Sequence, residues 1–274
     1  MRVVLFCGGQ GTRLRDFSRE IPKPLVPLGS VPILTHVMKY YAHHGHRDFV
    51  LCLGYKAESI KKHFMDCPER LPGVTMEHGA ECIALAGDGG TWRVTFVDTG
   101  LSSNIGQRLK AVEPFVKNEQ VFLANYADGL SNFPLPRLIE EFELRNAVGI
   151  FLAVRPNTSF HFVRRDVDGR VVSVDDVVKA DAWINGGYFV FSNEIFNYIR
   201  PGEELVEEPF ERLIGEGRLF TIEYHGFWRC IDTFKDLQAL ENLLSSGSAP
   251  WMVWRAAQRI HDLAPDLAQD RVTT

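Results

Sequence analysis

Arg2 to Cys7 read RVVLFC, an apolar run that stops abruptly at GGQGTRL, Gly8 to Leu14. A short, uninterrupted apolar run bounded by glycine is the signature of a strand buried on both faces. The glycine-rich turn behind it exposes backbone N–H groups of the kind that cradle phosphate. This one junction asks for a sheet covered on both sides, with a ligand at the strand's C-terminal end.

The pattern repeats along the chain. Leu34, Val37, Met38 and Tyr41 recur at helical spacing between Ile33 and His44, and Gly45 stands where a C-cap belongs. Phe49–Leu53 reads as a second strand, which completes a β-loop-α-β unit. Glu58–Phe64 reads as helix, Thr91–Val97 as strand, and Val121–Ala124 as a buried strand ending at NYADG. After Pro134, PLPRLIEEFELRN is an amphipathic helix, followed by a strand at Gly149–Val154. DVDGR, Asp166 to Arg170, is a turn between strand-like FHFVRR and VVSV, and Asn185-Gly186-Gly187 introduces the strand YFVF. Such alternation argues for an α/β fold. GDGG at Gly87–Gly90 and the polar tail after Asp266 read as flexible pieces. The chain divides into an α/β domain, residues 1–234, and a helical C-terminal extension, 235–274, packed on the same domain.

A formal charge of −5 gives no basic footprint for nucleic acid. No apolar run approaches the ~20 residues of a membrane helix, so neither nucleic acid nor membrane is an expected partner. Five scattered cysteines without a C-x-x-C pair fit a reduced, cytoplasmic compartment, and no targeting segment is expected.

The phosphate loop is of neither common kind. A Walker A loop ends in Gly-Lys-Ser/Thr, whereas Gly11 precedes Thr12-Arg13; a dinucleotide loop needs a third small residue where Leu14 stands. What remains is a turn for a polyphosphate with a hydroxyl at Thr12 and a planar cation at Arg13. Lys23 is a second cation, its backbone restricted by Pro22 and Pro24. Asp128 follows a buried strand, where ligands bind in open sheets, and Asp232 lies far along the chain in GFWRCIDT. Two such aspartates can share one Mg²⁺, although either could also be an ordinary turn residue.

Together GGQGTRL, PKPLVPLG, NYADG, WINGGYFVF, GFWRCIDT and APWMVW resemble the sugar-1-phosphate nucleotidyltransferases. GYK at Gly54–Lys56, VDTG at Val97–Gly100 and the late APWMVW are most similar to the glucose-1-phosphate cytidylyltransferase branch. The resemblance implies a Rossmann-like three-layer fold: a mixed, mostly parallel sheet with helices on both faces and a small antiparallel section. It implies transfer of a nucleotidyl group from a nucleoside triphosphate, preferably CTP, to a sugar 1-phosphate, with Mg²⁺ on Asp128 and Asp232 and release of pyrophosphate. It makes Arg13, Lys23, Asp128 and Asp232 catalytic, and puts Gly8, Gly9, Gly11, Thr12, Arg13, Thr99, Gly100 and Arg108 on the nucleotide. Lys179, Asn185, Gly186, Trp228 and Arg229 fall to the acceptor, with Trp228 equally readable as core. A homo-oligomer is also implied.

The departures from that pattern cluster around the acceptor and the nucleotide loop. Where the family has Glu-Lys-Pro, this chain has Asp176-Val177, with Lys179 two residues on; the family's Phe-Gly is Phe160-His161; its Thr-Gly-Gly is Ile105-Gly106-Gln107; and Arg229 stands before Cys-Ile-Asp. A modified hexose, heptose or phosphonate acceptor, or another triphosphate, is therefore an open alternative, as is a non-catalytic nucleotide-binding protein. Intact Arg13, Lys23, Asp128 and Asp232 argue against the last. His43, His44 and His46 read as a solvated helix end, Cys7 as packing, and EELVEEPFERL as a charged helix start, in which Glu208-Pro209 matches a Glu-Pro of the family that the resemblance would put beside the acceptor pocket.

Overall fold

The computed structural model describes residues 1–11, 21–156, 161–176 and 182–255. Its strands, in chain order, are β1 (Val3–Phe6), β2 (Pro27–Leu28), β3 (Val31–Pro32), β4 (Asp48–Leu53), β5 (Thr75–Glu77), β6 (Ala80–Gly87), β7 (Gly90–Asp98), β8 (Val121–Asn125), β9 (Gly129–Ser131), β10 (Gly149–Val154), β11 (His161–Arg165), β12 (Val171–Asp176), β13 (Ile184–Ser192), β14 (Leu219–Tyr224) and β15 (Trp228–Cys230). Nine of them form one sheet in the order β14-β10-β13-β8-β1-β4-β7-β6-β5. The first strand sits near its centre, parallel to both neighbours, with Val4 opposite Val50 of β4 and Ala124 of β8. Only β13 and β6 run against the rest.

Alternation along the strands divides the core in two. Val3, Leu5, Phe49 and Leu51 face one way, packed on Leu34 and Val37 of the helix Ile33–His43, Ile60 of Ala57–Asp66, Leu138 of Leu135–Leu144 and Leu240 of Phe234–Ser245. Val4, Phe6, Val50 and Cys52 face the other way, onto Leu109 of Ile105–Ala111 and Leu213 of Glu208–Gly215. This is the three-layer arrangement that the buried first strand requires. The helix Phe234–Ser245, Trp251 and Trp254 share the core of the preceding residues. Residues 256–274 of the expected extension lie outside the described residues. Among the described residues no helix is long and apolar enough to cross a membrane.

Two local readings change. GDGG is the tip of the β6–β7 hairpin, closed by the Gly87–Gly90 pair, with Gly89 and Gly90 at positive φ. The histidines after the helix Ile33–His43 are not all solvated: His43 is exposed, whereas His44 and His46 are half-buried. Burial pushes the imidazoles of both down to about 4, helped in His44 by its neighbours His43 and His46. His36, also lowered by burial, accepts from Trp251 Nε1 at 3.3 Å through Nδ1 and faces the Leu28 carbonyl at 2.9 Å through Nε2. The late tryptophan motif is thus tied through His36 to the PLVPLG segment.

A histidine whose folded pKa lies below its unfolded value stabilises fully above the unfolded pKa, about 6.5, and loses that contribution as pH falls toward the folded value. The melting temperature should therefore decline between about pH 7 and pH 5. Replacing His44 and His46 with Gln should flatten that slope in thermal melts; an unchanged slope would remove their burial as the cause.

Candidate active site

The C-terminal ends of β1 and β8 open on a cavity of about 410 Å³ whose lining includes Gly9, Gly11, Lys23, Asp128 and Asp232 together with Ser103, Asn104, Ile105, Tyr126 and Glu204. β1 ends in Cys7, whose N–H is bonded to Cys52 O at 3.0 Å, and the chain then turns into the glycine loop. Gly11 sits at φ 59°, a conformation open to glycine at no steric cost. Thr12 and Arg13 lie outside the described residues.

Lys23 comes from the Lys23–Leu25 turn, held by Pro22 with φ −63° and by the bonds Leu25 N to Pro22 O and Val26 N to Lys23 O. Its Nζ donates to Asp128 Oδ2 at 2.6 Å and to Asp232 Oδ1 at 2.8 Å. Burial opposes its charge, but the two carboxylates outweigh burial and hold its pKa above that of an ordinary lysine. The ammonium therefore stays protonated at any physiological pH.

Asp128 follows Ala127, which has φ 63°, and its carbonyl accepts from Ile231 N at 3.1 Å. That bond continues the β9–β15 ladder, Gly129 opposite Cys230, and ties the backbones of the two acidic segments together. Asp232 is aimed from the other side, its N–H donating to Asp236 Oδ2 within the Thr233–Asp236 capping box of the helix Phe234–Ser245. Cys230 Sγ reaches Asp232 Oδ2 at 3.7 Å, and burial with the nearby Asp232 and Asp128 charges pushes this thiol up to about 12.

The two carboxylates are about a quarter exposed and already converge on one cation. Hard oxygen donors with room for further ligands suit a divalent ion that completes its shell with water and substrate phosphate. Among the described residues no cluster of three or more acidic, His or Cys side chains offers a closed site.

Asn185 and Gly186 stand at the start of β13. Asn185 Nδ2 donates to Tyr126 OH at 3.1 Å, its Oδ1 accepts from Gly187 N at 2.8 Å, and Trp228 Nε1 donates to Gly186 O at 2.8 Å. Trp228 is thus half-buried and fixed beside Gly186 and Gly129. Arg229 is paired with Leu130 and alternates with Trp228 and Cys230 along this short ribbon; none of these three, nor Asn185 or Gly186, is among the residues lining the cavity. Lys179, Val177 and Phe160 lie outside the described residues; His161 is exposed on the β11–β12 ribbon.

Arg108 differs most from the expectation of a phosphate contact. Its guanidinium is buried and spent on the protein: Nη1 donates to Leu53 O, Thr99 Oγ1 and Gly100 O at 3.1, 2.7 and 3.0 Å, and Nη2 to Gly8 O at 3.0 Å. Thr99 and Gly100, expected on the nucleotide, are parts of the same clamp, with Thr99 Oγ1 donating to Leu53 O at 2.6 Å. These three residues shape the cavity by fixing the ends of β1, β4 and β7. Ser103, Asn104, Tyr126 and Glu204 were not foreseen as lining residues. Glu204 belongs to the acidic run read as a helix start, yet its carboxylate accepts from Ile105 N and Leu205 N at 3.3 and 2.9 Å and closes one wall.

Sheet, phosphate loop and paired aspartates define a nucleotidyl transferase, and the chain belongs to that family: the Nucleotidyl transferase model matches residues 2–246. The chain is 36% identical to the glucose-1-phosphate cytidylyltransferase of Salmonella typhi over 258 residues, spanning 93% of this chain and 100% of that protein. It is 28% identical over 229 residues to the D-glycero-alpha-D-manno-heptose 1-phosphate guanylyltransferase of Campylobacter jejuni, spanning 80% and 91%. The crystal structure of HddC from Yersinia pseudotuberculosis shares the fold, with a TM-score of 0.62 at 20% identity over 89% of this chain and 99% of that one. Members of the family typically use a divalent metal.

If Arg108 is a clamp, Arg108→Lys should destabilise the protein by about 2–4 kcal/mol, because one ammonium cannot replace a planar fork that serves five acceptors. Differential scanning calorimetry decides the point: weaker nucleotide binding at an unchanged melting temperature would restore Arg108 to the phosphates.

Proposed function

We propose that this nucleotidyltransferase joins a nucleoside triphosphate, CTP in preference, to a sugar 1-phosphate of the glucose 1-phosphate kind and releases pyrophosphate, with Mg²⁺ as its metal. The observation that carries this reading is the convergence of Asp128 and Asp232 on Lys23 Nζ at the mouth of the phosphate loop. The 36% identity to a cytidylyltransferase over nearly the whole chain supports the choice of CTP and glucose 1-phosphate.

The reaction forms a bond from a phosphate oxygen of the sugar 1-phosphate to the α-phosphorus, and breaks the bond from that phosphorus to the bridging oxygen of the leaving pyrophosphate. The nucleophile is already ionised at neutral pH, so no general base is required. The difficulty is to bring one anion onto another. Lys23 supplies a permanent positive charge beside the reacting centre, and its proline-bound turn fixes that charge before substrate arrives. The backbone of Gly8 to Gly11 offers N–H groups to the triphosphate. Asn185, Gly186 and Trp228 form a rigid floor for the acceptor. Mg²⁺ held by Asp128 and Asp232 would neutralise charge on the transferring phosphate.

A heptose 1-phosphate acceptor is the second reading. It rests on the heptose 1-phosphate guanylyltransferase among the relatives and on the changed acceptor motifs at Phe160-His161 and Val177.

Pyrophosphate release measured over the common nucleoside triphosphates crossed with glucose, mannose and heptose 1-phosphates tests both readings; release with CTP and glucose 1-phosphate should dominate, and no release with any pair would end the enzymatic reading. Asp128→Asn and Asp232→Asn should each slow turnover at least ~100-fold, an electrostatic loss of about 3 kcal/mol, and near-normal rates would remove the metal assignment. Lys23→Ala should lower kcat with little change in the KM for nucleotide; the reverse pattern would sink its role in the transition state.

A further inference from the structure

Ala127 is the residue before Asp128, and its φ of 63° lies in the left-handed region. That region is disfavoured for any residue with a Cβ, and is visited mainly by Gly, or by Asn and Asp, whose own side chains can bond locally. Of the four non-glycine residues with positive φ among the described residues, Lys56, His78, Ala127 and Asn146, only Ala127 is buried. Alanine has no polar atom with which to stabilise the turn. Something else must hold it there.

Asn125 supplies the hold. It closes β8 between β1 and β13, opposite Leu5 on one side and Tyr188 on the other, and is 1% exposed. Its Oδ1 accepts from Ala127 N at 2.8 Å, and its Nδ2 donates to Tyr41 OH at 3.2 Å. Tyr41 is itself fully buried and stacked on Tyr188, ring centroids 6.2 Å apart. The amide therefore cannot turn away to water, and its acceptor is pinned under the Ala127 N–H. On the far side of Asp128, Tyr188 OH donates to Gly129 O at 2.9 Å.

We propose that Asn125 is a positioning residue: it holds Ala127 in the left-handed turn and thereby aims the Asp128 carboxylate into the cavity. The inference rests on the reading above in which Asp128 acts in the reaction. Asn125 touches no substrate. Its removal should let the Ala127 peptide relax toward an ordinary extended or helical conformation and swing the carboxylate off its place. A displacement of an ångström at a reacting centre costs of order 100-fold in rate.

The test follows from the physical reason for the device. Glycine adopts φ near +60° without steric cost, so Ala127→Gly removes the need for the hold. Asn125→Ala, and Asn125→Leu as the variant of similar size, should each lower kcat at least ~10-fold with the KM for nucleotide within about threefold, and should weaken Mn²⁺ binding followed by electron paramagnetic resonance. Ala127→Gly alone should remain near the parent rate. Combining it with either Asn125 variant should recover at least half of the loss in log kcat and restore Mn²⁺ binding. Circular dichroism and thermal melts identify which of the Asn125 variants folds, and that one is read. Equal losses with and without Ala127→Gly, or no loss from Asn125→Leu, would overturn the proposal. Asp128→Asn in the same series separates the two readings: a parent-like rate there overturns the role of Asp128, whereas an inactive Asp128→Asn without coupling between positions 125 and 127 overturns the role of Asn125 alone.

Discussion

One ammonium held between two carboxylates organises this molecule. Lys23 is 105 residues from Asp128 and 209 from Asp232, so the contact exists only if three distant segments arrive together. Each charge is partly withdrawn from water, and removing one partner from such a group is costly because the remaining charges stay desolvated. The proline-fixed turn, the end of β8 and the capping box after β15 each carry one charge to the meeting point. The Ile231 to Asp128 backbone bond then makes the two acidic arms a single mechanical unit.

A second buried cation does different work. Arg108 is buried and satisfied by carbonyls and a hydroxyl, with no carboxylate bonded to it among the described residues, and burial lowers its pKa. It acts as a rivet through the ends of β1, β4 and β7. The cavity is thus bordered by one cation held by carboxylates and one held mainly by backbone carbonyls.

Much of the sheet was legible because its central strands are apolar runs bounded by glycine or turns: RVVLFC, Phe49–Leu53 and Gly149–Val154 all form strands. The antiparallel end of the sheet was not, since β6, which lies between β7 and the edge strand β5, mixes Glu81 with Cys82 and Ile83 and shows no clean apolar pattern. β9 and β15 are three residues each, too short to show a period. In the site, the motifs named Lys23, Asp128 and Asp232, but no motif reveals which way a guanidinium turns, hence the inward Arg108, nor which face of a three-residue strand Arg229 takes. Tyr126 and Glu204 meet only through long-range packing. The left-handed turn at Ala127 belongs to the backbone, and alanine leaves no trace of it in the letters.

The glycines around Arg108 carry a consequence for how such a chain can change through time. A Cβ at Gly8 would lie 2.0 Å from Arg108 Nη1, and one at Gly54 2.7 Å from the same atom. At Gly8 the three nearest atoms all belong to the Arg108 guanidinium, whereas at Gly54 the Gly100 and Gly8 carbonyl oxygens, 2.7 and 2.9 Å from that Cβ, would exclude it even without the arginine. Positions 8 and 108 are therefore coupled, since a side chain at 8 requires the guanidinium to move, while position 54 is held to glycine by backbone whatever stands at 108.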